Sequence, residues 1–244
     1  MVKKQIKPDF LKDIDMEIMD ELTKGGCLEN AAGLAGELIE LKEVTCLCGL
    51  PFYGYLAKIE TPRPRGAMDE VAIAFTELEV DRGKTGDGLH LENYFKIGSR
   101  ILASGKAQTL KDFESGKVLV FVLADYVALS PKAMLQDDVA ILGELAYEPT
   151  HRETPRGKRI ADIMVKVKNA ITGGWCFLPC ICWQEQADEV ATWQQGDRVK
   201  LLGRYQSRQY EKVIDIDSGS REERTAYEVS VRQIERLGET DNEN

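Results

Sequence analysis

The chain has 244 residues, of which 43% are hydrophobic and 30% charged, an ordinary composition for a globular protein. This length is enough for one large domain or two ordinary ones. No apolar run approaches the roughly 18 residues of a membrane-spanning helix, and the first residues lack the features of a signal peptide. We therefore expect a cytoplasmic protein without a membrane partner. The net charge of −9 argues mildly against a nucleic-acid binder when only the total is considered.

The first 29 residues contain an amphipathic segment at residues 9–24. Its apolar side chains fall on one helical face, with acids opposite; they are Phe10, Leu11, Ile14, Ile18 and Leu22. The pattern predicts an N-terminal helix that packs on the rest of the chain or on a partner, and packing is the more common outcome.

A weak internal repeat divides the rest of the chain. Residues 34–38 are similar to residues 141–145, and residues 98–106 are similar to residues 196–204. Each copy alternates apolar and polar residues between Gly and Pro turns, which is typical of a small five-stranded barrel. Glycines inside the strand patterns predict bulges or tight bends; they are Gly36, Gly105, Gly143 and Gly203. The sequence therefore predicts an all-β dominated fold with two tandem barrels, at residues 30–130 and 138–237.

The second copy contains the more informative motifs. A short strand at 141–145 precedes a Thr-Pro-Arg-Gly hairpin tip at 154–157 and an alternating strand at 160–167. An aromatic strand at 175–183 and a polar insert of helix length follow. Next come a Gly-x-x-Val-x-x-x-Gly-Arg strand beginning at Gly196 and a last strand at 226–234. This order of motifs over about a hundred residues resembles the bacterial single-stranded DNA-binding protein family.

The resemblance implies two oligonucleotide/oligosaccharide-binding (OB) barrels and sequence-independent binding of single-stranded DNA. Such a protein protects unwound DNA in replication, recombination or repair, and is nucleoid-associated. Family members bring four barrels together, so two barrels per chain predict a homodimer, with replication or recombination proteins as further partners. Neither a cofactor nor an enzymatic activity is expected. The acidic tail, residues 238–244, is predicted to be disordered and lacks the family's Asp-Asp-x-x-Pro-Phe ending.

Matching the motifs places base-stacking side chains at Phe177, Trp183 and Tyr210. Trp175 lies on the same period-2 face as the first two, and Tyr205 lies in the same hairpin region as the third, so both are further candidates. The candidate phosphate contacts are cations at the hairpin tip and along the strands: Arg152, Arg156, Lys158, Arg159, Lys166, Lys168, Arg204, Arg208 and Lys212. Two alternatives stay open, namely that Trp183 belongs to the core and that the tip cations form an ordinary solvated turn.

Charge distribution is compatible with this site. Residues 137–237 hold 15 Lys and Arg against 17 Asp and Glu, a net −2, so this block is the least acidic part of the chain.

Other functions have weaker support in the sequence. Two Cys-x-Cys pairs, at residues 46–48 and 180–182, lack further ligands at metal-site spacing, so core packing is favoured over metal binding. The Gly-Lys-Thr at 83–85 lacks the upstream spacing of a phosphate-binding loop. The main alternative is an OB-fold adaptor that binds proteins, of the primosome type or a mobile-element accessory factor. The first copy favours it, because that copy lacks the aromatic strand and is either a weaker binder or an assembly surface.

Overall fold

The computed structural model describes residues 30–63, 66–82, 90–130, 136–154, 156–215 and 220–238. The predicted helix at 9–24 lies outside the described residues, as does the tail from residue 239 onwards. None of the helices in the described ranges is long and apolar enough to cross a membrane.

Strands dominate the fold. In the first half they are β1 (Asn30–Leu47), β2 (Leu50–Pro62), β3 (Met68–Phe75), β4 (Val80–Asp81), β5 (Arg100–Lys111) and β6 (Val118–Leu129). In the second half they are β7 (Gln136–Leu145), β8 (Thr150–Glu153), β9 (Arg159–Lys168), β10 (Trp175–Trp183), β11 (Arg198–Asp215) and β12 (Ser220–Arg236). The helical elements of the described residues are short: a 3-10 turn (Glu77–Glu79), α1 (Leu91–Tyr94) and α2 (Glu185–Val190). The predicted all-β dominated class is confirmed.

In the first half, five strands pair into a closed ring, which we call the first circuit. In the order β1, β2, β3, β6, β5 and back to β1, each strand pairs with the next. All of these pairings are antiparallel except that of β3 with β6. This is the strand order of a five-stranded OB barrel.

The second half repeats the pairing scheme. Its ring of strands, the second circuit, runs β7, β9, β10, β12, β11 and back to β7, and the pairing of β10 with β12 is the parallel one. Strand β8 adds to the outer edge of β9. The two circuits join where β1 runs antiparallel to β7, from the pair Asn30 and Ile141 to the pair Ala35 and Gln136. All of these strands therefore belong to one continuous sheet.

Period-2 patterning decides which side chains fill the interior. On β9 the side chains of Ile163, Val165 and Val167 are buried, whereas Lys166 is half-buried and Lys168 exposed. Successive side chains of a strand point to opposite faces, so the alternation in the sequence correctly predicts which face is covered.

Two of the predicted strand glycines lie at bulges. The pairing of β5 with β6 shifts register between Ser104 and Gly105, and that of β11 with β12 shifts between Leu202 and Gly203. A β-carbon at Gly105 would lie 2.1 Å from the backbone oxygen of Leu123, and one at Gly203 would lie 2.6 Å from that of Ser230. The prediction of bulges at these two glycines is confirmed.

We predict that Gly105→Ala lowers the free energy of unfolding by about 1–3 kcal/mol, because the added methyl overlaps backbone atoms that cannot rotate away. Chemical denaturation of the full chain measures the change. Gly174→Ala is the matched control, since its β-carbon would meet only the Thr172 hydroxyl at 3.4 Å. Equal stability of the two variants would contradict the close backbone approach at Gly105.

Candidate nucleic-acid interface

The outer face of β10 carries exposed aromatic side chains. Trp175 is 44% exposed and Phe177 is 39% exposed, whereas Cys176, Leu178 and Cys180 on alternate positions are buried in the core. Two flat rings therefore project from neighbouring outward positions of one strand. The sequence pattern placed both rings on one face of the strand, as observed, and their stacking on bases stays a prediction.

Lysines of β9 lie beside these rings. In the antiparallel register, Lys168 is opposite Trp175 and Lys166 is opposite Phe177, so each pair shares one face of the sheet. The Nζ atom of Lys168 lies 3.9 Å from the centroid of the Trp175 ring, and that of Lys166 lies 5.0 Å from it. These distances allow cation–π interactions. The arrangement places positive charge and stacking surface within one short stretch of sheet.

A third exposed ring lies on the β11–β12 hairpin. Tyr210 is 37% exposed, pairs across the hairpin with Arg224, and has the Arg208 guanidinium 5.7 Å from its ring centroid. The predicted stacking residues Phe177 and Tyr210 thus come from different strands.

A groove of about 880 Å³ brings these elements together. Its lining includes Trp175, Phe177 and Tyr210, together with residues 222–227 of β12. The remaining wall comes from the first half of the chain, through Thr109 and Lys111 of β5 and their neighbours. The structure therefore collects three of the five predicted stacking residues in one groove.

Hydrogen bonds hold the first half against the strand that carries Phe177. The Thr109 hydroxyl donates to the backbone oxygen of Phe177 at 3.2 Å and accepts from its N–H at 3.1 Å. The buried Gln108 side chain donates to the Lys168 carbonyl and accepts from the Ala170 N–H. These bonds tie the β5 wall of the groove to backbone groups of β9, of β10 and of the segment between them.

The other predicted aromatic residues have different environments. Trp183 is half-buried, its Nε1 donates to the Ser230 hydroxyl at 3.1 Å, and the Lys158 ammonium lies 5.9 Å from its ring. Tyr205 is only 2% exposed, and its hydroxyl donates to the Phe121 carbonyl. A base cannot stack on a ring that the core covers on both faces, so the prediction for Tyr205 is wrong.

Arg204, predicted as a phosphate contact, has a carboxylate partner and does not line the groove. Its guanidinium donates to the Asp69 carboxylate at 2.6 Å, to the Tyr205 carbonyl and to the Gln206 side chain. Asp69 lies on β3, so this contact ties the two circuits together instead of facing the groove.

Four of the other eight predicted phosphate contacts are exposed or half-buried cations with carboxylate partners. The pairs are Arg152 with Asp162, Arg159 with Asp188, Lys166 with Glu144 and Arg208 with Glu228. In the part of the chain that the structure describes, Arg156, Lys158 and Lys168 are exposed and form no ion pair. The side chain of Lys212 lies outside the described residues. The available positive charge is therefore smaller than the sequence suggests.

Sequence reasoning missed the contribution of the first half to the groove. Thr109, Lys111 and Lys117 line it, although they precede the aromatic strand by about sixty residues. The alternating pattern of β5 shows which side chains share a face, but not which distant strand that face meets.

The cysteines of β10 are packing residues. Burial raises the pKa of Cys182 to about 12 and raises that of Cys180 well above its ordinary value. Neutral thiols are poor metal ligands and poor nucleophiles. Among the described residues, no group of three or more His, Cys, Asp or Glu side chains is arranged to hold a metal ion.

Comparison with known proteins agrees with this geometry. The model of the family described as "Single-strand binding protein family" matches residues 137–237. This segment is similar to that family. It contains the aromatic face of β10, the lysines of β9 and the β11–β12 hairpin.

Relatives by sequence match the same part of the chain. The single-stranded DNA-binding protein of Mycobacterium bovis is 33% identical over 106 residues, which cover 39% of this chain and 61% of that protein. Single-stranded DNA-binding protein A of Bacillus subtilis is 32% identical over 79 residues, covering 30% of this chain and 46% of that protein. The chain thus spans 61% or less of the length of these two relatives.

A solved structure resembles nearly the whole chain. A deletion mutant of the single-stranded DNA binding protein from Thermus aquaticus aligns with a TM-score of 0.60 at 18% identity, covering 88% of this chain and 97% of the other. The wild-type protein from the same organism aligns with the same TM-score at 17% identity. At this identity the likeness concerns the fold, and it extends to the circuit that the family model does not reach.

The Asp137 carboxyl group lies between the two circuits, and its pKa is raised toward neutral pH. Burial raises the pKa of Asp137 to about 7, although the N–H of Tyr205 donates to its Oδ1 at 2.8 Å and the charge of Arg204 opposes the shift. The Thr61 hydroxyl donates to Oδ2 at 3.3 Å. Asp137 therefore connects β2 with β11 at the start of β7.

We predict that Asp137→Asn removes a pH dependence of stability. The folded pKa lies above the ordinary value of 3.8, so this group's contribution to stability is fully present below about pH 4 and is lost as pH rises through about 7. Relative to the wild type, the variant should gain about 2–4 kcal/mol between pH 5 and pH 8, because an amide cannot ionise.

Thermal unfolding at the two pH values measures this difference. Asp138→Asn, at the neighbouring position where the carboxylate pairs with Arg232, controls for the loss of one acid. A constant difference between Asp137→Asn and the wild type would rule out the assigned titration.

Proposed function

We propose that the protein binds single-stranded DNA without reading its base sequence. The observation that carries the proposal is the groove in which exposed Trp175, Phe177 and Tyr210 lie beside cationic side chains. Aromatic faces stack on any base, and ammonium or guanidinium groups bind any phosphate, so this combination needs no base-specific hydrogen bond. The family of residues 137–237 supports the same function.

Each group has a separate role in this proposal. Phe177 and Tyr210 stack on successive bases, while Trp175, flanked by two lysines, stacks on a base whose phosphate those lysines neutralise. Lys158 and Arg156 extend the positive charge along the hairpin tip, and Trp183 adds the exposed part of its ring. Counterions leave the phosphates on binding, so affinity falls as salt rises.

The first circuit has a different outer face. The outward side chains of β3 at the centre of the strand are Ala72 and Ala74, and both are buried against Leu47, Leu110 and Phe121. Small, covered side chains offer no stacking surface. We therefore propose that residues 30–130 form a supporting OB domain and residues 138–237 the main DNA-binding domain.

The proposal extends to the protein's cellular role. Binding without sequence preference suits protection of unwound DNA in replication, recombination or repair, in the cytoplasm and on the nucleoid. We also propose a homodimer, which brings four circuits together; its mass in solution is the direct test. Replication or recombination proteins are proposed as further partners.

Titration with oligo-dT tests the function itself. We expect quenching of tryptophan fluorescence at micromolar protein in low salt, because Trp175 lies in the groove, and progressive release as salt is raised. A flat titration at low salt would instead favour an adaptor that binds other proteins. The adaptor has one specific feature in its support, the highly exposed Tyr53 and Leu78 on the first circuit.

Substitution of the rings tests the site. Phe177→Ala and Tyr210→Ala should each weaken oligo-dT binding by about 1–3 kcal/mol, the usual loss for one stacked base, without lowering the melting temperature appreciably. Tyr53→Ala is the matched control, since Tyr53 is 77% exposed and lies outside the groove. Loss of binding in the control as large as that in Tyr210→Ala would contradict the assignment.

A further inference from the structure

One wall of the groove belongs to the first circuit. On the β5–β6 hairpin, Thr109 pairs with Val120 and Lys111 pairs with Val118. Residues paired directly across an antiparallel ribbon share a face, and all four of these residues line the groove. The ribbon therefore presents one face to the stacking residues of the second circuit, with Lys117 at its turn.

This wall supplies positive charge. Lys111 and Lys117 are exposed and, within the described ranges of the chain, form no ion pair. The nearby Asp112 forms no ion pair with either lysine in the described residues, and its Oδ1 accepts from both the N–H and the hydroxyl of Ser115 at 2.6 Å. Hydrogen bonds from Ser115 lower the pKa of Asp112, so this carboxylate stays ionised in the turn.

The opposite wall does not cancel this charge. Glu222 and Glu223 line the groove on β12, but Glu222 pairs with Arg224, which also lines it, at 2.6 Å. On this wall Arg224 offsets one of the two carboxylates, so a net charge of −1 faces the two lysines of the first circuit. An anionic strand that lies on Phe177 and Tyr210 passes between two walls, and the wall from the first circuit is the cationic one.

The backbone close to Lys111 is bonded to the strand that carries Phe177. Thr109, two residues before Lys111 on the same face of β5, is bonded to both backbone groups of Phe177. At about 3.3 Å per residue, Lys111 lies roughly one side-chain length along the groove from the bonds between Thr109 and Phe177. Its ammonium can reach a phosphate without a rearrangement of the two circuits.

We infer that the first circuit takes part in DNA binding through Lys111 and Lys117, which contact phosphates of the strand that stacks on Phe177 and Tyr210. The inference rests on the proposed function and adds to it: the site is shared by the two circuits, and the circuit without an aromatic strand contributes charge instead of stacking.

Salt-dependent titration of the full chain tests this inference. The double variant Lys111→Ala with Lys117→Ala should bind an oligo-dT of about 15 nucleotides several-fold more weakly at low salt. The slope of log K against log salt should become shallower by about 1.4, at roughly 0.7 for each lost phosphate contact on a single strand. Glutamate at both positions should weaken binding further, because it repels the phosphates.

Matched variants separate the outcomes. Lys96→Ala with Lys106→Ala makes the same change in net charge at exposed positions of the first circuit that do not line the groove, and it should leave the slope unchanged. If the alanine variants at 111 and 117 and at 96 and 106 both bind like the wild type while Phe177→Ala binds more weakly, the inference fails and the proposed function stands. If these two alanine double variants change the slope of log K against log salt equally, the effect is one of net charge and the inference fails. If the wild type binds no oligo-dT, the proposed function itself fails.

Discussion

The buried carboxylate of Asp69 links the two halves of this protein. It accepts hydrogen bonds from Arg63 in its own circuit and from Arg204 and the N–H of Ser207 in the other. Burial opposes its ionisation, but these donors lower its pKa below the ordinary value. Removing one partner of a buried ion pair commonly costs about 3–5 kcal/mol, because the other charges stay buried. This network therefore ties together the two circuits, both of which line the groove.

Sequence patterning predicted the local structure well and the contacts between circuits poorly. Alternation identified the outward rings of β10, and glycine placement identified bulges at Gly105 and Gly203. By contrast, the bonds from Thr109 to Phe177 and from Arg204 to Asp69 join residues 68 and 135 positions apart, and no local pattern encodes such pairings. The error at Tyr205 was avoidable: Tyr205 and Tyr210 are an odd number of positions apart, so a regular strand directs them to opposite faces.

The two circuits show how one strand plan supports different surfaces. On β10 the outward side chains are large and exposed, and Thr109 of the neighbouring circuit bonds the backbone beneath one of them. On β3 the corresponding side chains are alanines, and an apolar cluster around Phe121 covers them. The apolar cluster that covers the β3 face leaves no stacking surface there. The neighbouring strand β5 bonds to β9 and β10 of the second circuit. Loss of aromatic residues in one half is thus compatible with a structural contribution to the site in the other.

In the proposed function, charge pairing decides how the groove interacts with an anionic strand. Arg152, Arg159, Lys166 and Arg208 already have carboxylate partners, so a phosphate that binds one of them must replace an existing interaction. Such an exchange contributes little net free energy at exposed sites, where ion pairs are worth about 0–1 kcal/mol. Affinity must then come mainly from stacking and from cations without carboxylate partners, such as Lys158 and Lys168. A protein with a net charge of −9 can therefore bind nucleic acid through a small local excess of positive charge, because screening limits the repulsion from distant acids to about 10 Å at 0.1 M salt.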